Sequence, residues 1–273
     1  MKTPSHARLQ FSKQVIGSLL GLLTILFISA CSTPKDDSTL VVGMELAYPP
    51  FEMTDEQNNP TGVSVEMAQA LAKHLGRELR IENIPFAGLI PALRTGKIDV
   101  IISSMTATDE RRESIDFSDA YLSTGLCLLV SKNSAITSID ELDKAGVSIA
   151  VKQGTTGHVY AASSIKHANV LLFDKESAAV LEVSQEKADA FIYDQMSTFM
   201  NWKRNQETTT ALLNPLKKES WAIGIAKSNE ALLSEINDFL ATFSQSGGFD
   251  SLGEKYLKEQ KEEFEKLGIP FYF

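Results

Sequence analysis

The sequence predicts an α/β protein with two lobes that are joined by two continuous strands. Strand and helix patterns alternate along the chain, and the alternation restarts once near residue 126. No Pro/Gly/Ser-rich linker separates the two parts. Such an alternation is typical of a largely parallel, twisted sheet with helices on both faces. The 273 residues, 43% of them hydrophobic, are enough for two modest cores.

The first part of the chain has a β-α-β-α-β pattern. TLVVGMEL, RELRIENI and IDVIISS have the composition of strands, and AGLIPALRTG predicts a short helix that ends at Gly96. SVEMAQALAKHLG predicts an amphipathic helix that ends at Gly76. Its apolar residues share one face: Val65, Ala68, Leu71, Ala72 and Leu75.

The second part repeats the alternation. GLCLLVSKN, VSIAVKQ, VLLFD and ADAFIYD predict strands, and GTTGHVYAASSI, ESAAVLEVSQEK and MSTFMNWKRN predict helices. SIDELDKA predicts a further short helix with Ser138 or Asp140 as its cap. SWAIGIAKS predicts a last strand, and the remainder of the chain is helical.

The two parts are connected twice, which predicts a hinge. We expect lobe 1 to comprise residues 39–122 and 222–273, including the terminal helices, and lobe 2 to comprise residues 126–217. Hinge strands are expected near residues 121–126 and 218–222. A cleft between two such lobes is the usual place for a small ligand.

The first thirty residues have a different character. A basic start is followed by the apolar run VIGSLLGLLTILFISA, which is too short for a membrane span and predicts a secretory signal at residues 1–30. The ISAC sequence resembles the lipobox of bacterial lipoproteins, which implies acylation of Cys31 and a tether at residues 31–38. An ordinary cleavage near Ala30 and a membrane-spanning anchor are the alternatives. The resemblance implies an extracytoplasmic protein, in the periplasm or at the cell surface.

Charge and cysteine content exclude several classes of partner. The leader carries three of the 26 basic residues, so the remainder has 23 basic and 35 acidic residues and a net charge of −12. Nucleic acid and anionic lipid surfaces require basic patches, so a small solute fits better. Cys127 lies in an apolar run and is expected to be a buried core residue. The four histidines have no metal-ligand spacing, and no cofactor is expected.

Several separated motifs carry a family resemblance. AYPPFE, TGVSVEMAQAL, LIPALRTGKIDVIISSMTATDERRESIDFSDAY and IAVKQGTT occur in this order. They resemble the family 3 extracellular solute-binding proteins, the polar-amino-acid-binding components of bacterial ABC importers. The resemblance implies a periplasmic-binding-protein-like fold, a monomer and a membrane permease as partner. It implies binding of an amino acid by hinge closure rather than catalysis.

The resemblance assigns the zwitterionic end of the ligand to five residues. Arg111 is expected to hold the α-carboxylate, because a guanidinium can donate two parallel hydrogen bonds to it. Thr108 can cap the short helix that carries Arg111, whereas Arg112 is expected to be solvated. By resemblance, the Thr106 hydroxyl and the hydroxyl and amide of Thr156 also meet the α-carboxylate. The Ser104 carbonyl and Asp194 meet the α-ammonium. From sequence alone, Asp194 is equally well explained as the N-cap of the next helix.

The remaining site residues concern the ligand's side chain. By resemblance, the aromatic rings of Tyr48 and Phe86 flank it, and Glu45 and Lys152 read its far end. Some binders of basic amino acids carry an acid where this chain has Ser64, and Lys152 would repel a cationic side chain. The resemblance therefore favours glutamine or another uncharged polar amino acid narrowly over acidic and basic ones.

Two other functions are compatible with this scaffold. The first is a dehydratase, which needs a general acid such as Glu45 or His158 near a departing hydroxyl group. The second is a ligand-sensing partner of a membrane receptor. Neither alternative has a recognisable catalytic or signalling pattern in the sequence.

Overall fold

The structure is a computed structural model that describes residues 38–269. The predicted signal segment, Cys31 and most of the predicted tether lie outside the described residues. In the described part, none of the helices is long and apolar enough to cross a bilayer.

The first lobe is built on three parallel strands. Strand β1 (Thr39–Met44) lies between β4 (Glu78–Asn83) and β5 (Val100–Ile101), and a small hairpin forms from β2 (Met53–Thr54) and β3 (Pro60–Thr61). Helix α1 (Val63–His74) and helix α2 (Leu89–Arg94) cover the sheet, and a 3₁₀ turn at Phe86–Gly88 precedes α2. The predicted face of α1 is buried at Val65, Ala68, Leu71 and Ala72. Gly76 follows the helix with a left-handed φ of 66°, as its sequence position predicts.

Two long antiparallel strands run through both lobes. They are β6 (Asp116–Ser131), which follows the single-turn helix α3 (Asp109–Arg112), and β10 (Thr209–Ile225). The C-terminal end of β10 pairs with β5 of lobe 1. The C-terminal half of β6 pairs with β9 (Ala190–Asp194) of lobe 2. The two-strand connection is therefore as predicted. Strand β10 begins nine residues earlier than the predicted strand near Lys218, because it follows β6 through a bulge between Leu212 and Lys217.

The second lobe repeats the parallel arrangement. Strand β7 (Ser148–Lys152) lies between β8 (Asn169–Phe173) and β9, and the full sheet order is β4-β1-β5-β10-β6-β9-β7-β8. Its helices are α4 (Thr156–Ser164), α5 (Glu176–Ser184) and α6 (Gln195–Arg204). The segment SIDELDKA forms only a 3₁₀ turn at Ile139–Glu141, and Ser138 does not cap it. Instead the amide and hydroxyl of Thr137, the residue before Ser138, donate to the Glu141 carboxylate at the end of the turn.

The C-terminal part contains three helices: α7 (Glu230–Gln245), α8 (Gly248–Tyr256) and α9 (Lys258–Lys266). Helices α7 and α8 pack against α1 in lobe 1. Helix α9 differs from the prediction that the terminal helices return to lobe 1, because it lies against α6. The Phe264 and Phe199 rings pack edge-on with their centres 4.8 Å apart, and Glu263 Oε2 lies 3.1 Å from Lys203 Nζ. Burial of these two rings accounts for the position of α9.

Candidate functional site

A cavity lies between the lobes, and its walls come from lobe 1, lobe 2 and the connecting strands. Eight of the nine predicted site residues line it, and the ninth, Lys152, is bonded to one of the eight. The lining residues are Glu45, Tyr48, Glu52, Phe86, Ser103, Ser104, Thr106, Arg111, Thr155, Thr156, Tyr193, Asp194, Glu219 and Trp221. The fold thus brings together residues up to 176 positions apart in the chain.

Arg111 is held by its helix cap and by both lobes. The Arg111 amide donates to Thr108 Oγ1 at 3.2 Å, which is the predicted cap of α3. Its guanidinium donates to the carbonyl of Thr106 in lobe 1 at 2.7 Å and to the carbonyl of Gly154 in lobe 2 at 2.8 Å. The Phe86 ring lies 5.4 Å from the same group. Arg111 is therefore a fixed positive charge in the cavity wall, and its pKa is lowered by burial.

The neighbouring Arg112 has a different environment. It is exposed, and its guanidinium lies 5.2 Å from the centre of the Phe117 ring, away from the residues that line the cavity. The predicted exposure of Arg112 is confirmed, and Arg111 lies in the cavity wall. The ligand role of Arg111 stays a prediction.

Asp194 ends β9 and begins α6. Its Oδ1 accepts the Ser197 amide at 3.0 Å, so the helix-cap reading is confirmed, and it also accepts the Tyr48 hydroxyl from lobe 1 at 2.6 Å. Burial raises the pKa of Asp194 to about 7, and the two hydrogen bonds act in the opposite direction. A capping bond uses one carboxylate oxygen and leaves capacity for a second donor. The cap and the predicted ammonium contact are therefore compatible.

Glu45 and Lys152 form an ion pair between the lobes. Lys152 Nζ donates to Glu45 Oε2, and the two side chains are 3% and 13% exposed. The Lys152 ammonium also lies 5.7 Å from the Phe86 ring and 6.0 Å from the Tyr193 ring. The predicted far end of the site thus carries a neutral pair of opposite charges.

Sequence reasoning missed a buried carboxylate in lobe 1. Glu52 is 1% exposed and accepts the hydroxyl groups of Ser64 at 2.6 Å, Ser104 at 3.0 Å and Ser103 at 3.3 Å. Burial raises the pKa of Glu52 to about 8, against these hydrogen bonds. Ser104 has a left-handed φ of 48°, and its hydroxyl faces Glu52. The signal was present, since Glu52 ends the AYPPFE motif.

A second missed carboxylate belongs to the connecting strand β10. Glu219 is 6% exposed, and its Oε2 accepts the Thr106 hydroxyl at 3.1 Å and the Thr156 hydroxyl at 3.0 Å. Burial raises the pKa of Glu219, while the two threonines and the nearby Arg111 oppose that rise. Trp221, two residues further, packs edge-on against Phe51 and Tyr48. The Thr106–Glu219 bond spans 113 residues of sequence, so no local pattern indicates it.

The two residues considered as general acids both have hydrogen-bond partners in the structure. Glu45 pairs with Lys152, and His158 Nδ1 accepts the Gly154 amide at 3.3 Å. Within residues 38–269, no group of His, Cys, Asp and Glu side chains has the arrangement of a metal site. Cys127 is buried, as predicted, and burial raises the pKa of its thiol to about 12, which excludes a reactive thiolate at neutral pH.

Comparisons with known proteins agree on one family. The family of bacterial extracellular solute-binding proteins, family 3, matches residues 40–259. The chain is 28% identical over 251 residues to the L-cystine-binding protein TcyJ of Escherichia coli, covering 88% of this chain and 94% of the relative. It is 26% identical over 270 residues to the glutamine-binding protein GlnH of an ABC transporter in Bacillus subtilis, covering 90% and 97%.

A solved structure shows the same fold. The chain superposes with a TM-score of 0.74 and 34% identity on an ancestral amino acid-binding protein, a precursor of cyclohexadienyl dehydratase, covering 80% of this chain and 95% of that one.

Proposed function

Because the chain belongs to family 3 of the bacterial extracellular solute-binding proteins, we propose that it binds a polar L-amino acid between its lobes and delivers it to the permease of an ABC transporter. The proposed contacts are the nine predicted site residues. The relatives are amino-acid-binding proteins, and one of them belongs to an ABC transporter, which supports a role in transport rather than in catalysis.

A pair of opposite charges in one cavity between the lobes carries this proposal. Arg111 supplies a fixed cation, and Asp194 supplies a buried carboxylate. A free amino acid is a zwitterion, so its carboxylate requires the first group and its ammonium requires the second. Buried charges need such partners, and an amino acid provides both in one molecule.

The Glu45–Lys152 pair supports an uncharged polar side chain. Lys152 offers N–H donors, and Glu45 offers oxygen acceptors, at a place where the total charge is zero. A side-chain amide has one carbonyl acceptor and two N–H donors, so it can bond to both members of the pair. A cationic side chain would meet Lys152, and an anionic one would meet Glu45. We therefore propose a glutamine-like ligand.

A thermal-shift screen tests the function directly. The purified protein would be heated with each of the twenty amino acids and with L-cystine. A true ligand stabilises the folded protein by mass action, by about 2.7 kcal/mol at a concentration of 100 Kd. We expect glutamine to give the largest shift. If none of the amino acids raises the melting temperature, the proposed function is wrong.

Replacing Lys152 with methionine is expected to change the preferred ligand. Lys152→Met leaves Glu45 without its partner and removes the positive charge from the far end of the cavity. Glutamine should bind about 1.5–3 kcal/mol more weakly, the value of a hydrogen bond to a charged group, whereas arginine should bind more tightly. Calorimetric titration with both amino acids measures the change, and Lys175→Met, outside the ion pair, is the control. An unchanged glutamine-to-arginine ratio would contradict the assignment.

We further propose that the ligand is enclosed by closure about β6 and β10. Each lobe already contacts the other through Tyr48 and Asp194, Glu45 and Lys152, and Arg111 and Gly154. A ligand that touches both lobes binds the closed form better and shifts the population towards it. The lobe boundaries that we propose are those given by the sequence, except that helix α9 lies against α6 of lobe 2.

Replacing Gly154 with alanine tests closure. A Cβ at Gly154 would lie 3.1 Å from Ala87 of the opposite lobe, so the closed form would be overpacked. Overpacking costs about 1–3 kcal/mol, so the Kd should rise roughly 5- to 150-fold. Gly146→Ala is the matched control, because Gly146 also has a positive φ but a Cβ there meets nothing within 4 Å. Both variants should lose stability, and only Gly154→Ala should lose affinity, as measured by melting and calorimetry.

The cellular location follows from the N-terminal motif. We propose that the protein is exported and anchored by a lipid on Cys31, with the periplasm or the cell surface as its location and a monomer as its state. The lipobox resemblance and the family's extracellular character support this.

A further inference from the structure

The carboxylate of Glu219 accepts hydrogen bonds from Thr106 and Thr156, two residues that the proposed function assigns to the carboxylate of the ligand. We propose that the Glu219 carboxylate competes with the ligand's α-carboxylate for the hydroxyl groups of Thr106 and Thr156. In the absence of a ligand, Glu219 holds the two lobes together, and an amino acid displaces it. This inference rests on the proposed function only for the identity of the displacing group.

The first support is the pair of hydroxyl groups that Glu219 engages. Thr106 belongs to lobe 1 and Thr156 begins α4 of lobe 2, and both donate to the same oxygen, Oε2. These are the two hydroxyl residues that the family resemblance assigns to the ligand's carboxylate. Because a hydroxyl has a single proton, neither can donate to a ligand while it donates to Glu219.

The second support is the rigid placement of the Glu219 backbone. The segment of Thr106 pairs with β10 next to Glu219, through bonds from the Ala107 amide to the Ser220 carbonyl at 3.0 Å and from the Ala222 amide to the Met105 carbonyl at 3.1 Å. The backbone of Glu219 therefore stays beside Thr106, and only its side chain can move. A ligand can therefore displace the Glu219 carboxylate by rotation of this one side chain.

The third support is the state of the other carboxylate oxygen. Glu219 Oε1 is buried and accepts no hydrogen bond, which is costly for a charged oxygen. Two carboxylates that share one pair of donors repel each other. Glu219 also lines a second cavity beside Arg111, where Lys217 and His158 lie. That cavity offers both room and a cation for the rotated side chain.

The experiment is a titration of Glu219→Gln, which keeps the shape of the side chain and removes its charge. An internal competitor makes ligands bind more weakly, so the variant should bind more tightly, by about tenfold or more, since like charges in contact are strongly unfavourable. The probes are L-glutamine, L-arginine, L-histidine and L-cystine. The same direction is expected for every probe that binds, because the α-carboxylate is common to them. Unchanged or weaker binding would overturn the proposal, since a ligand contact or a purely structural role predicts those results.

Two controls separate competition from general electrostatics. Glu176→Gln removes a half-buried negative charge from lobe 2, but Glu176 accepts hydrogen bonds from Ser197 and Asn201 rather than from the threonines. It should not tighten binding. L-Glutaminol has a hydroxymethyl group in place of the α-carboxylate, so Glu219→Gln should improve its binding much less than that of L-glutamine. Equal improvement for both compounds would contradict competition for the carboxylate position.

A measurement without ligand tests the bridge between the lobes by itself. Glu219→Ala removes both threonine bonds, so small-angle X-ray scattering of the ligand-free protein should show a larger radius of gyration than for the parent protein. Circular dichroism checks that the variant is folded. An unchanged radius overturns the bridging part of the proposal, and it does so even if no amino acid binds and the proposed function fails.

Discussion

Replacing Arg111 with alanine is expected to weaken amino-acid binding by about 2–5 kcal/mol, which is roughly a 30- to 5,000-fold rise in Kd. The guanidinium is the fixed cation of the cavity, and its loss would leave the ligand's carboxylate without a charged partner. It would also remove the hydrogen bonds that join Thr106 of lobe 1 to Gly154 of lobe 2. The two effects act in the same direction.

Isothermal titration with the amino acid that gives the largest thermal shift is the measurement. Arg112→Ala is the matched control, because Arg112 is next in sequence, has the same charge and is exposed. It should change the Kd by less than about twofold, as expected for a charge outside the binding site. Arg111→Lys should bind weakly too, since an ammonium cannot donate the two parallel bonds of a guanidinium. Arg111→Ala with parental affinity would refute the carboxylate assignment.

The parts of the site that lie on helix starts were predictable from the sequence. The Thr108 cap of α3 and the Asp194 cap of α6 depend on bonds between residues three apart, so the local pattern contains the information. The same holds for the buried face of α1 and for the glycine after it. The two-lobe arrangement was predictable because the alternation of strands and helices occurs twice.

The buried acids were not predictable in the same way. Glu219 lies in a polar stretch of β10, LKKES, where a charged residue looks like an ordinary exposed position. Its burial depends on Thr106 and Thr156, which are far from it in the chain. The long strand β10 was missed for the same reason, since its first half is specified by pairing with β6 rather than by its own composition.

The position of α9 shows a further limit of local patterns. Its amphipathic sequence predicts a helix with one apolar face, but it does not specify which lobe accepts that face. Phe264 fits against Phe199 of α6, and this choice depends on the shape of a surface formed by other segments.

Replacing Asp194 with asparagine is expected to have the second largest effect. Asparagine is as good a helix cap as aspartate, so α6 should keep its start at the Ser197 amide. The negative charge opposite the ligand's ammonium is lost, and binding should weaken by about 2–5 kcal/mol, which is roughly a 30- to 5,000-fold rise in Kd. Melting of the ligand-free variant should be close to that of the parent protein, which separates loss of binding from loss of folding.

The raised pKa of Asp194 adds a pH dependence with a defined sign. In the ligand-free protein this pKa is about 7, because burial disfavours the charged form. The ammonium of the ligand requires the ionised form, so binding releases a proton when the pH is below 7. Affinity should therefore be nearly constant above pH 8 and fall about tenfold per pH unit below 7, to about 100-fold at pH 5.

Titrations between pH 5 and 9 in parent protein and Asp194→Asn assign this dependence to its source. Other buried acids of the cavity, including Glu52 and Glu219, also have raised pKa values and titrate in both proteins. The part of the pH dependence that is lost in Asp194→Asn belongs to Asp194 alone. If the variant retains the full decrease below pH 7, the proton is released from another group, and Asp194 is a helix cap rather than the ammonium partner.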